Sequence, residues 1–284
     1  MAYLRQISRF IAVLAIIGLL AGANSKTTAV EAMDNTYRQS SGVALAVTNS
    51  LKKSPALMEE YFAKELDNLG ITLAPGIEHR LDSKPTLKTE KRCKSDVYKA
   101  LMSLPYSHRS LLSKLTLFYT RDGRRGLGGS GEIVLRCLNV TNGELSSVLI
   151  HEIAHLVDSG YLIGEDNSSL SGFYDFNDPV ALDDLSLTFY KISWTSETSR
   201  KTDTTELDFV STYATTDPFE DFAETYTYYR LHGPEFRKLA TADTALASKY
   251  DFMRDIVFEG AEFGTDSKNI AVDIISHTVV VFNS

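Results

Sequence analysis

The most regular apolar pattern in the chain lies between Gly143 and Ser159. Leu145, Val148, Leu149, Ala154, Leu156 and Val157 recur there at helical spacing. Thr141 and Glu144 form a capping box at its start, and Gly160 stands where such a helix stops. A second helix opens at Asp217-Pro218, runs to about Leu231 and ends at Gly233-Pro234. One or two further helices are expected over Glu235 to Glu259. Upstream, Val43 to Leu69 reads as helical, with Leu57, Tyr61 and Leu66 among its apolar positions. Ser54-Pro55 is placed to begin a new helix within it. Lys84 to Lys94 is basic and reads as a solvated loop, and Ser95 to Leu112 as one or two helices around Pro105. Strand character is strongest in Leu115-Thr-Leu-Phe-Tyr-Thr120 and in Glu132 to Leu138, which together predict a β-hairpin. The glycine-rich Arg121 to Gly131 between them fits no phosphate-binding spacing and reads as a flexible turn. Residues 161–212 are loop-rich with two aromatic stretches, Phe173 to Phe176 and Phe189 to Trp194. Ile270 to Phe282 is β-branched.

One apolar run has no period at all. Phe10 to Leu20 is unbroken, follows Arg5 and Arg9, and leads into Ala21-Gly22-Ala23. That is the layout of a secretory signal peptide, too short to favour a membrane span. The expected organisation is a signal peptide over 1–23, a linker over 24–40 and one domain over 41–284. That domain divides into lobes of about 41–159 and 160–284. The localisation expected is secreted, extracellular or periplasmic, with no stable membrane insertion after signal cleavage.

Composition narrows the functional classes. Of 284 residues, 43% are hydrophobic and 23% charged, which excludes fibrous and disordered chains. The formal charge is −8, becoming −10 once Arg5 and Arg9 leave with the signal peptide, and no Lys/Arg-rich block occurs. Nucleic acid is therefore not an expected partner. Two cysteines, Cys93 and Cys137, exclude a disulfide-rich scaffold and a cysteine-only zinc site. In an exported protein they favour one structural disulfide over two free thiols.

The candidate chemistry sits on the strongest helix, as His151-Glu152-Ile153-Ala154-His155. Histidines at i and i+4 share one face and can reach one tetrahedral metal. Glu152, next to the first, can reach a water there and act as base; zinc would lower that water's pKa towards neutrality. A third ligand is needed. The metzincin pattern fails, because Asp158 and Tyr161 stand where it requires glycine and histidine. Glu220, with Glu224 one turn later on the Asp217 helix, is the natural carboxylate ligand. Glu224 would accept a hydrogen bond from a ligand histidine. Asp217 and Asp221 are competitors, but Asp221 should point away from Glu220 on the same helix; Asp217 with Glu220 also fits a capping arrangement. Tyr213 could stabilise an oxyanion or help protonate a leaving amine.

His151, Glu152, His155, Tyr213, Glu220, Phe222, Ala223 and Glu224 together form a pattern that resembles the catalytic domain of anthrax lethal factor and the secreted Pro-Pro endopeptidases. The resemblance, to zinc metallopeptidases of the gluzincin type, covers residues 143–160 and 211–236. It implies an α+β, two-lobed zincin-like fold, with a small sheet and the active-site helix in one lobe and a mostly helical second lobe. It implies His151, His155 and Glu220 as zinc ligands, Glu152 as base, Tyr213 as transition-state donor and Glu224 as the group orienting a histidine. An extended protein or peptide substrate would lie along an edge strand, expected at 132–138. The interval from His155 to Glu220 exceeds the family's, which implies an insertion within 161–210. The functions to weigh are an exported zinc endopeptidase, a zinc amidase acting on cell-wall peptides, and a non-catalytic secreted binding protein that retains the metal site.

Overall fold

The computed structural model describes residues 55–74, 85–121, 123–164 and 169–264. The signal-peptide and linker assignments, the 270–282 strand and the first part of the 43–69 helix lie outside the described residues.

The fold is α+β. Helix α1 (Pro55–Asn68) leads to strand β1 (Thr72–Ala74), helix α2 (Leu87–Met102) and a single turn, α3 (Tyr106–Arg109). Strands β2 (Lys114–Phe118), β3 (Gly126–Gly129) and β4 (Glu132–Arg136) follow, and then α4 (Asn142–Gly160). The segment read as loop-rich holds two small hairpins and a helix: β5 (Leu170–Asp175) with β6 (Asp178–Ala181), α5 (Ser186–Ser193), and β7 (Trp194–Ser196) with β8 (Ser199–Arg200). Two 3₁₀ turns, Glu206–Asp208 and Tyr213–Thr215, precede α6 (Pro218–Leu231), α7 (Gly233–Ala240) and α8 (Thr244–Phe252). A short π-helical segment, Met253–Val257, extends α8.

Three expectations are corrected. Residues from Leu87 onward belong to α2 rather than to a basic loop. Thr86 caps the helix by accepting from the Thr89 N–H, and Cys93, Val97, Leu101 and Ala100 are buried on its inner side. The basic residues there occupy the outer face of an amphipathic helix. Secondly, β2 and β4 do not form a hairpin. They pair parallel, Leu115 opposite Ile133 and Leu117 opposite Leu135, in a sheet of order β1-β2-β4-β3. Thirdly, the glycine-rich segment is itself a strand. β3 pairs antiparallel with β4 through a tight turn at Ser130 and Gly131, both at positive φ. The returning strand β4 inserts between β2 and β3, so β3 is the edge and 132–136 is interior. Apolar alternation marks a strand but not its pairing direction, and glycine carries no strand propensity to announce β3.

The sheet packs Leu115, Leu117, Ile133 and Leu135 into a core shared with α2 and α4. Cys93 of α2 and Cys137, just after β4, form a disulfide, with Cα atoms 5.7 Å apart and both residues buried. It joins the helix layer to the sheet and closes a 44-residue separation; constraining a loop of that size in the unfolded chain stabilises the fold by about 4 kcal/mol. Helix α6 is buried on nearly every side, with Phe222, Ala223, Tyr226 and Tyr229 in the core. Its Asp221 is fully buried and holds the equally buried Lys249 of α8 at 2.9 and 2.7 Å. Trp194 Nε1 donates to the same carboxylate at 3.0 Å, and the Lys249 ammonium also lies over the Phe209 ring. Removing one partner of such a pair strands a charge and costs about 3–5 kcal/mol. Among the described residues no helix is long and apolar enough to cross a membrane.

His108 is a buried histidine with a structural role. Its Nδ1 lies 2.9 Å from the Tyr226 hydroxyl, and Tyr161 and Phe258 pack against the ring. Burial, partly opposed by a backbone hydrogen bond with Val257, holds its pKa down to about 4 from 6.5. The folded state therefore refuses a proton that the unfolded chain accepts. His108 removes no stability above pH 6.5, and its penalty grows as pH falls towards 4, reaching about 3 kcal/mol. Urea unfolding of wild type and His108→Gln at pH 7 and pH 4.5 should show a smaller loss on acidification in the variant. Equal losses would show that His108 does not contribute to acid sensitivity.

Candidate metal site

The site forms where α4 crosses α6. The α4 N-terminus is closed by the predicted capping box: Thr141 Oγ1 accepts from the Glu144 N–H at 3.2 Å, and Glu144 accepts from the Thr141 N–H at 3.3 Å. Arg125, just before β3, pairs with Glu144 at 2.6 Å, which fastens the edge strand to the first turn of this helix. Two turns further on, His151 and His155 project from the same face. Their Nε2 atoms lie 3.2 Å apart.

Glu220 reaches them from α6. Its Oε2 lies 3.1 Å from His151 Nε2 and 3.5 Å from His155 Nε2. That oxygen is buried and lacks a well-formed hydrogen bond. Two imidazole nitrogens and a carboxylate oxygen, all within 4.8 Å of one another, thus converge on one point. Such a set needs a cation or a shared proton. Burial opposes protonation of His151, but Glu220 and Glu224 outweigh it and hold the ring's pKa well above its ordinary value. For Glu220, burial is likewise outweighed by the two histidines, which hold its pKa well below the usual range. The donor set fits a divalent metal of the His₂-carboxylate type.

The competing carboxylates are accounted for. Asp217 is the N-cap of α6, its Oδ1 accepting from the Phe219 N–H at 3.0 Å and the Glu220 N–H at 2.8 Å. The Glu220 side chain is left to turn towards the histidines. Asp221 points into the core towards Lys249. Glu224, one turn beyond Glu220, is buried and accepts from His151 Nδ1–H at 2.9 Å. A carboxylate on Nδ1 fixes the tautomer with its lone pair on Nε2, as a metal ligand requires. Tyr213 donates to Glu220 Oε1 at 2.8 Å, and its ring centroid is 6.0 Å from that of His151. Burial and the neighbouring Glu220 raise the pKa of this phenol, so it stays a donor.

Glu152 is buried and faces the edge strand. A Cβ at Gly126 would collide with Glu152 Oε1 and lie 2.6 Å from Val148 Cγ1; one at Gly128 would lie 2.8 Å from Glu152 Oε2. The glycines at 126 and 128 are thus the strand face that lets the sheet approach this carboxylate. Burial raises the Glu152 pKa, and His151 and His155 only partly offset it. Asp175, the last residue of β5, lies within electrostatic reach of His155 and Glu220, so part of the 161–210 segment approaches the site.

No family model and no curated protein sequence matches this chain. The geometry therefore stands by itself. It brings together His151, Glu152, His155, Tyr213, Glu220 and Glu224, the six residues expected to act as ligand, base, donor or orienting group. Two features went unread there. Gly126 and Gly128 recur at the strand period of two, a signal that could have distinguished a strand from a turn. Ser211, which contacts Glu224, carries no sequence signal of its own.

Zinc titration with a competing chelator should find tight binding of a single ion in the wild type and at least about tenfold weaker binding in Glu220→Ala. Undiminished affinity in that variant would move the third ligand elsewhere, with Asp217 the first residue to test.

Proposed function

We propose that the protein is an exported zinc-dependent endopeptidase of the gluzincin type, with the two-lobed zincin-like architecture. The observation that carries the reading is the convergence of His151, His155 and Glu220 beside a buried, pKa-raised Glu152. Zinc held by those three ligands would supply Lewis acidity towards a peptide carbonyl and would acidify a water. Only three protein ligands converge among the described residues, which suits a catalytic site with an open position better than a closed structural one.

The chain's own residues supply the rest. Glu152 takes the proton from the attacking water and returns it to the leaving amine. Its raised pKa brings it nearer to neutrality, where a carboxylate can both accept and donate. Tyr213, kept protonated, turns its single O–H from Glu220 Oε1 to the oxygen of the attacked carbonyl as charge develops there. Glu224 keeps His151 in the ligating tautomer. The edge of β3, rather than the interior strand 132–136, presents main-chain groups to an extended peptide directly above Glu152.

Glu152→Gln should bind zinc as the wild type does and lower kcat on a cleaved peptide by about 10²–10⁴-fold. Tyr213→Phe should lower kcat by roughly 10²-fold with KM little changed. Hydrolysis by Glu152→Gln at the wild-type rate would eliminate this mechanism. A zinc-loaded wild type that cleaves no member of a peptide library would favour a binding protein instead.

A further inference from the structure

Tyr213 and His151 stand on separate elements, a 3₁₀ turn and α4, yet one buried carboxylate connects them. Glu224 Oε1 accepts from His151 Nδ1–H at 2.9 Å, and Glu224 Oε2 accepts from the Ser211 hydroxyl at 2.6 Å. The same Ser211 oxygen accepts the N–H of Ala214 at 3.1 Å. Ala214 follows Tyr213 directly and is buried in the turn that presents the phenol. Both hydrogen bonds of Ser211 are buried, so neither is exchanged cheaply for water.

The segment is anchored from its other end as well. Lys249 Nζ donates to the Asp208 carbonyl at 2.9 Å, and Phe209 and Val210 are buried in the core. Residues 208–214 are thus held at Asp208 by the Asp221–Lys249 pair and at Ser211 by Glu224. Between those points the backbone has little freedom to shift, and Ser211 is the contact nearest the site.

We propose that Ser211 is a positioning residue that holds the Tyr213 hydroxyl and the His151 ring in a fixed relation through Glu224. The hydroxyl is the only group in this chain of contacts that donates to Glu224 and accepts from the Tyr213 turn. Without it, Glu224 Oε2 loses its donor and the Ala214 N–H loses its acceptor. The carboxylate is then free to rotate, His151 loses its fixed orientation, and the tyrosine turn loosens. The effect on turnover rests on the peptidase reading; the effect on metal binding does not.

The test compares wild type, Ser211→Ala and Ser211→Thr. Near-ultraviolet circular dichroism first establishes that each is folded. Zinc affinity is measured by chelator competition, and the visible spectrum of the cobalt-substituted protein reports ligand geometry. Ser211→Ala should bind zinc about 10–100-fold more weakly. Its cobalt spectrum should change, and kcat should fall with KM little altered. Ser211→Thr, which keeps the hydroxyl, should restore all three. Unchanged affinity and spectrum in Ser211→Ala would overturn the assignment whatever the wild type cleaves. So would a threonine variant as defective as the alanine one. A wild type that binds zinc but cleaves no peptide refutes the peptidase reading alone, and zinc affinity in the two variants then decides the role of Ser211.

Discussion

The hydrogen bond from His151 to Glu224 joins the two helices on which the site depends. Histidines one turn apart on α4 can offer two nitrogens to a metal, but nothing on that helix completes the set. The third donor must come from another element, and it must arrive with the histidine rings already oriented. Helix α6 meets both requirements from one face, because Glu220 and Glu224 are themselves one turn apart. The fold invests heavily in where α6 lies. Its flanks are apolar and buried, its N-terminus is capped by Asp217, and Asp221 secures it to Lys249 of α8.

The sheet answers a second requirement of the proposed reaction, a carboxylate that is close to the metal site and shielded from water. Glu152 lies under β3 at a distance that no side chain on the facing positions would allow, so the strand is built from glycine. The same packing buries Glu152 and so raises its pKa, while the strand order leaves β3 at the edge of the sheet. Arg125 fixes the lead-in of that strand to the start of α4 through Glu144. Strand and Glu152 are thus held to one helix and cannot drift apart independently.

The helices and the cluster of His151, His155 and Glu220 were legible in the sequence because each leaves a local signature. Capping residues mark where α4 and α6 begin, and spacing of three to four residues identifies groups that share a helical face. That logic places His151 with His155 and Glu220 with Glu224, and it separates Asp221 from them. The sheet was less legible. Parallel pairing of β2 with β4 depends on which strand the chain leaves room for, and no local pattern encodes that. The basic residues of α2 resemble a solvated loop because they fill its outer face, and the apolar positions that bury it, Cys93 and Val97 among them, are sparse between them. Ser211 was out of reach for a related reason: its role arises from two hydrogen bonds made across the fold.

The whole arrangement turns on α4 and α6 together holding one metal ion. X-ray absorption at the zinc edge on the zinc-loaded protein tests it most directly. The spectrum should show two imidazole nitrogens at about 2.0–2.1 Å, a carboxylate oxygen at about 2.0–2.2 Å and a further light-atom ligand from solvent. Sulfur ligation, a single histidine, or no stoichiometric zinc would contradict it.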